Sequence, residues 1–225
     1  MQSLFQKLQG SYKFEPILNL ANSSVYGFEL LAMNKPKNWL THDLRTIAML
    51  GMINRASPSH VQDEIISVNL TAESIMTITD AQIEQAARNR PKLVIEWVEI
   101  KDDSQTIIEV GRKLERWREQ FDIKIAIDDM GKGQDAIERF LAVTPDLAKF
   151  DGLLLHEARV SDKHYRAIQW MSKWCRDEGV PIVMEWIENE RDFEIAVECG
   201  CNYGQGYYIQ DQVNEAIIEE RKLVM

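Results

Sequence analysis

The stretch IKIAIDDMGKGQDAIERFLAV, residues 123–143, decides the fold. A short β-rich apolar run ends in two carboxylates, Asp128 and Asp129, passes a glycine-containing loop and enters a stretch with helical spacing. The same unit recurs on both sides. Upstream, IISVNLT (65–71) leads into AESIMTITDAQIEQAARN (72–89), and KLVIEWVEI (92–100) into SQTIIEVGRKLERWREQF (104–121). Downstream, DLAKFDGLLL (146–155) leads into DKHYRAIQWMSKWCRDEG (162–179), PIVMEWIE (181–188) into ERDFEIAVECG (190–200), and YGQGYYI (203–209) into a last acidic helix. Before the series, YKFEPILNL (12–20) and VYGFELLA (25–32) flank the turn-like ANSS and read as an opening hairpin. THDLRTIAMLGMINRA (41–56) then has helical spacing. Regular βα alternation argues for a mostly parallel sheet with crossover helices.

Periodicity alone leaves that sheet open or closed. Polar residues at the ends of many successive apolar runs favour closure, because an open doubly wound sheet concentrates its site at one switch point. These residues are Glu29, Asn69, Glu96, Asp128, Asp129 and Glu185. Gathered at one edge, their oxygens repel strongly unless a cation sits among them, so the pattern predicts a metal site. Oxygen donors of this kind suit Mg²⁺ or Mn²⁺ rather than zinc. No GxGxxG follows a strand and no GxxxxGK[ST] loop is present, which leaves nucleotide cradles of those two types unsupported.

The 225 residues contain no Gly/Ser/Pro-rich linker and suit one α/β barrel domain over 1–225. A net charge of −10, without a basic run, disfavours polymeric nucleic acid as a partner. Cys175, Cys199 and Cys201 form no CxxC pair and read as packing residues in a reducing compartment. The N-terminus lacks a signal-peptide core and no apolar run reaches membrane-spanning length, so the expectation is a soluble, cytoplasmic protein. His42, His60, His156 and His164 share no spacing and read as solvated. Trp170, Met171 and Trp174 recur at helical intervals and are expected to pack outer helices onto the barrel.

Taken singly, the candidate residues allow plainer readings. Glu29 also suits a strand residue turned to solvent, and Asp128-Asp129 before MGKG also suits a turn with a helix cap. Lys149, flanked by Ala148 and Phe150, is harder to dismiss, since a buried lysine needs an acidic partner.

In chain order, FEPILNL with FELLA, SVNLTAESI, VIEWVE, IAIDDMGKG, PDLAKFD, VMEWIE and CNYGQGYYI resemble the motifs of the EAL-domain family of cyclic di-GMP phosphodiesterases, from end to end of the chain. The resemblance implies a modified (β/α)8 TIM-like barrel with an antiparallel first strand. It also implies two divalent ions, Mg²⁺ or Mn²⁺, roughly 3.5–4 Å apart, acidifying a water and neutralising a phosphate. By position, Glu29, Asn69, Glu96 and Asp128 are similar to the ligands of one ion, with Asp128 bridging to a second held by Asp129 and Glu185. Lys149 is similar to the group that orients or polarises the attacking water. Leu31, Lys132 and Gln205 fall at substrate-facing positions, and Glu99 resembles the glutamate that steadies the loop after the aspartate pair.

The departures carry weight as well. Met33 stands where the family carries an arginine on a substrate phosphate, and the segment 34–65 is shorter than in active members. Glu15 replaces a glutamine before Pro16, and the DDFGTG loop becomes DDMGKG, which places Lys132 where its charge compensates. That loop implies homodimerisation. Three readings follow: a metal-dependent phosphodiesterase converting cyclic di-GMP to linear pGpG, a sensor that binds it without cleavage, and a regulator acting through a protein partner.

Overall fold

The computed structural model describes residues 12–32, 65–98, 103–132 and 135–214. The helix expected over 41–56, together with Met33 and Glu99, lies outside the described residues. Eight strands are hydrogen-bonded in chain order and close into a barrel: β1 (Tyr12–Asn19), β2 (Val25–Ala32), β3 (Ile65–Leu70), β4 (Leu93–Trp97), β5 (Lys124–Met130), β6 (Leu147–Phe150), β7 (Ile182–Met184) and β8 (Tyr203–Gly204). The β3–β4, β4–β5, β6–β7 and β7–β8 pairs are parallel, and β1 meets β8 antiparallel. This is the closed α/β barrel that the strand-end residues favour, with the reversed first strand that the resemblance implies. The opening turn is held by Asn19 N–H to the Ser24 carbonyl at 2.8 Å, with Ser23 left-handed at φ 56°.

Packing divides the described chain into two compact units. One holds residues 12–14, 28–32, 65–98, 103–127 and 135–145. Within it, helices α1 (Ala72–Thr77), α2 (Asp80–Asn89), α3 (Ser104–Phe121) and α4 (Ala136–Ala142) alternate with the strands. On β4, Leu93, Ile95 and Trp97 share one face and pair in register with Ile66, Val68 and Leu70 of β3, all nearly inaccessible. Helix α3 buries Ile107, Val110, Gly111, Leu114 and Trp117, an amphipathic stripe. Gly111 is required there, since a Cβ would lie 2.7 Å from the Ala142 carbonyl oxygen.

The single helix expected over 72–89 is two. Ile78 leaves the helical region at ψ 129°, and Thr79 caps α2 through a reciprocal box with Gln82.

The second unit holds residues 15–27, 128–132 and 146–214. Its helices are α5 (Gly152–Ala158), α6 (Asp162–Asp177) and α7 (Glu190–Glu198), and residues 207–214 are helical. Here GLLL (152–155), expected to prolong a strand, opens α5. The Asp151 carboxylate accepts from Leu153 N–H at 2.7 Å and starts the helix directly after β6. Strand β7 stops at Met184, short of its expected end, because Trp186 takes a left-handed φ of 55°. Trp170 is 64% exposed and stacks on Trp174, whereas α6 buries Ile168, Ser172 and Cys175. Trp170 therefore lies off the packed face, two residues past Ile168. All three cysteines are buried and free, and burial pushes the Cys175 and Cys199 thiols up to about 11 and Cys201 to about 12, which makes them inert packing groups.

Candidate functional site

Most of the predicted site residues lie at or just past the carboxyl end of their own strand. In the first unit, Asn69 of β3 and Glu96 of β4 are register partners and so share a face. Asn69 Nδ2 donates to Glu29 Oε1 at 2.5 Å, which fixes the amide so that Oδ1 points away from Glu29. That Oδ1 is buried and has no hydrogen-bond partner among the described residues. Glu29 and Glu96 are 4% and 0% exposed. A buried amide oxygen without a donor, placed with two buried carboxylates, costs free energy that a hard cation offsets. The donor set of this unit therefore fits a hard divalent cation. Glu29 is not turned to solvent. Leu31, two residues on, is half-buried.

The strand end carrying Glu96 is itself tied down. Arg139 of α4, fully buried, donates through Nη1 to the Trp97 carbonyl and through Nε to Asp135 at 3.0 Å, with its guanidinium over the Trp97 ring.

In the second unit, Lys149 Nζ lies 2.9 Å from Glu185 Oε1 and 3.7 Å from Asp128 Oδ1, with a side chain only 1% exposed. The strand lysine thus has the acidic partners its burial demands. Glu185 follows β7 directly and extends the ladder, its N–H reaching the Phe150 carbonyl at 3.1 Å. Asp129, left-handed at φ 58°, and Lys132 close a turn through Lys132 N–H to the Asp129 carbonyl at 3.1 Å. Lys132 Nζ returns to Asp151 Oδ2 at 2.9 Å and Asp129 Oδ1 at 3.4 Å.

Burial, the neighbouring Asp128 charge and a hydrogen bond with Asp151 raise the Asp129 pKa above the ordinary carboxylate range. Burial also opposes the Asp151 charge, but Lys132, the Leu153 amide and Asp129 together hold its carboxyl below that range. The Lys132 ammonium is correspondingly stabilised, chiefly by Asp151. Gln205, just past β8, donates from Nε2 to Glu15 Oε1 at 3.3 Å, and its backbone bridges Met184 and Ile187.

Two residues near this set escaped the sequence reading. Asp151 had a usable signal, since it stands two residues after Lys149 on the same alternation and directly before a glycine that opens a helix. Trp186 had none, because its left-handed backbone is visible only in three dimensions. Its ring lies so close to Gly152 that a Cβ there would fall 2.3 Å from Trp186 Cβ and Cγ. His156, expected to be solvated, is half-buried, with Nε2 3.4 Å from the Trp186 carbonyl and 3.4 Å from Glu188. His156, Glu188 and Asp192 bring ligand-type atoms within 4.8 Å of one another. Arg159 already occupies both carboxylates of this group, bidentate on Asp192 at 2.7 Å and 2.7 Å and reaching Glu188 at 3.3 Å. The cluster is a clasp between α5 and α7, not an ion cage.

The closed barrel agrees with the comparisons. The EAL domain model matches residues 1–212, and the chain belongs to the EAL domain family. The cyclic di-GMP phosphodiesterase PdeB of Shewanella oneidensis is 27% identical over 153 residues, covering 66% of this chain and 18% of that protein. Across the curated relatives it matches, the chain spans between 12% and 22% of their length. Among solved structures, an EAL domain protein from Listeria monocytogenes has a TM-score of 0.75 at 17% identity, covering 96% of both chains. Klebsiella pneumoniae BlrP1, solved as a manganese and cyclic di-GMP complex, has a TM-score of 0.74 at 20% identity, over 88% of this chain and 54% of that one.

Proposed function

We propose that this chain is a divalent-metal-dependent phosphodiesterase that hydrolyses cyclic di-GMP to linear pGpG. The observation that carries the reading is the placement of Lys149, fully buried at a strand end and held between Asp128 and Glu185. Family membership and relatives named as cyclic di-GMP phosphodiesterases support the substrate class.

The residues proposed to hold the ions are those of the motif resemblance: Glu29, Asn69, Glu96 and Asp128 for one, and Asp128, Asp129 and Glu185 for a second, with Mg²⁺ or Mn²⁺ as the ion. When bound, such ions supply Lewis acidity toward a phosphate and acidify an attacking water. Lys149 directs its N–H donors at the water and at charge developing on the phosphate, and its two carboxylate partners fix the direction. Asn69 presents Oδ1 because Glu29 holds its amide nitrogen. Gln205, hydrogen-bonded to Glu15, and Leu31 are proposed to face substrate. Lys132 reaches a phosphate only by leaving Asp151 and Asp129.

Lys149→Ala tests the assignment. With Mn²⁺ present it is expected to lower kcat by about two orders of magnitude while cyclic di-GMP binding largely survives. Unchanged kcat with intact binding overturns the role of Lys149.

A further inference from the structure

The family resemblance assigns Asp129 to a second ion, yet Asp129 is already served by a cation of this chain. From the turn described above, we infer that Lys132 is the built-in counter-ion of the Asp129–Asp151 carboxylate pair and that a second divalent ion enters there only by displacing it. The inference rests on the metal-dependent reading above and deepens it to the regulation of ion occupancy.

Three features carry it. The positions are set by backbone: Asp129 at φ 58°, Gly131 at φ 93° and the Lys132 amide bond to the Asp129 carbonyl turn the lysine back over its own strand end. Gly131 sits at φ 93°, where any side chain is strained, so the turn calls for glycine at this position.

The acceptor is also fixed. Asp151 is 1% exposed, caps α5 through Leu153 and presents Oδ2 to the ammonium at 2.9 Å. The lysine itself is 46% exposed, so it has room to swing into solvent when a stronger cation arrives. Lys149 is different: it is buried and bound to the other carboxylates, Asp128 and Glu185. An ammonium and a divalent ion compete for the same oxygen lone pairs on Asp129, and the ammonium is tethered at high local concentration.

Calorimetric titration with Mn²⁺ alone tests this on the parent, Lys132→Ala and Lys132→Arg. Lys132→Ala is expected to bind its weaker ion five- to ten-fold more tightly than the parent, about the worth of a half-exposed charge-assisted contact. Lys132→Arg, which keeps the charge, is expected to titrate like the parent. Asp129→Asn in the Lys132→Ala background is expected to remove the gain. Equal Mn²⁺ affinities in parent and Lys132→Ala, with the parent still hydrolysing cyclic di-GMP, overturn the lysine inference and leave the phosphodiesterase reading standing. Absence of Mn²⁺ binding in both proteins overturns the two together.

Discussion

At the scale of single residues, the clearest physical tension is at Trp186. A bulky residue in the left-handed region costs of order 1–3 kcal/mol and persists only where its surroundings over-determine it. Here Gly152 makes room for the ring, and the residue before it is Glu185, the partner of Lys149. Gly152 and Trp186 therefore form a pair that sets where Glu185 stands. Gly152→Ala is expected to destabilise the protein by about 1–3 kcal/mol, as overpacking of a tight contact does. Trp186→Gly removes the atoms the new methyl strikes and restores the freedom to adopt φ 55°. In a double-mutant cycle followed by denaturant unfolding, the two changes are expected to be strongly non-additive, the double mutant being more stable than the sum of the singles. Additive costs contradict the contact.

At the scale of elements, the clasp between α5 and α7 gives a pH-dependent stability. Burial opposes the Asp192 charge, but the Arg159 bidentate pair and the Glu188 amide hold its carboxyl below the ordinary range. A carboxyl depressed in the folded state contributes stability that is complete above its unfolded pKa of about 3.9 and lost as pH falls through the lower folded value. Melting temperatures taken downward from pH 6 are thus expected to drop in parent below about pH 4. Asp192→Asn is expected to melt lower at pH 6 and to show a shallower acid drop. Parallel curves for the two proteins contradict the clasp.

The same scale shows what could be read in advance. The βα order, the opening hairpin and the span of α3 follow from apolar runs, helical spacing and turn residues, all local signals. GLLL reads as strand because three leucines after an apolar run look the same in either state. Only the Asp151 cap decides between them. The split at Thr79 carries a Thr-x-x-Gln signal that the longer periodic pattern around it masks. Trp170 satisfied helical spacing without lying on the packed face. For the site, the strand-end oxygens and Lys149 were legible because carboxylates and lysines are rare in apolar runs. The pairing of Lys132 with Asp151 was not, since it depends on a turn folding back on the chain.

At the scale of the whole molecule, the net charge of −10 opposes an anionic dinucleotide, so substrate affinity is expected to depend on divalent ions rather than on the protein field alone. Among the described residues no helix is long and apolar enough to cross a membrane. Ion binding to the native state should also raise the melting temperature by mass action, and more weakly when Asp128 is replaced by Asn. The most direct measurement incubates the purified chain with cyclic di-GMP and Mn²⁺ and separates the products by chromatography with mass detection. Linear pGpG is expected from the parent with Mn²⁺, none after chelation, and a loss of about a hundred-fold or more in rate for Lys149→Ala. Binding of cyclic di-GMP by the parent without linear product under any divalent ion contradicts the phosphodiesterase reading and leaves a sensor in its place.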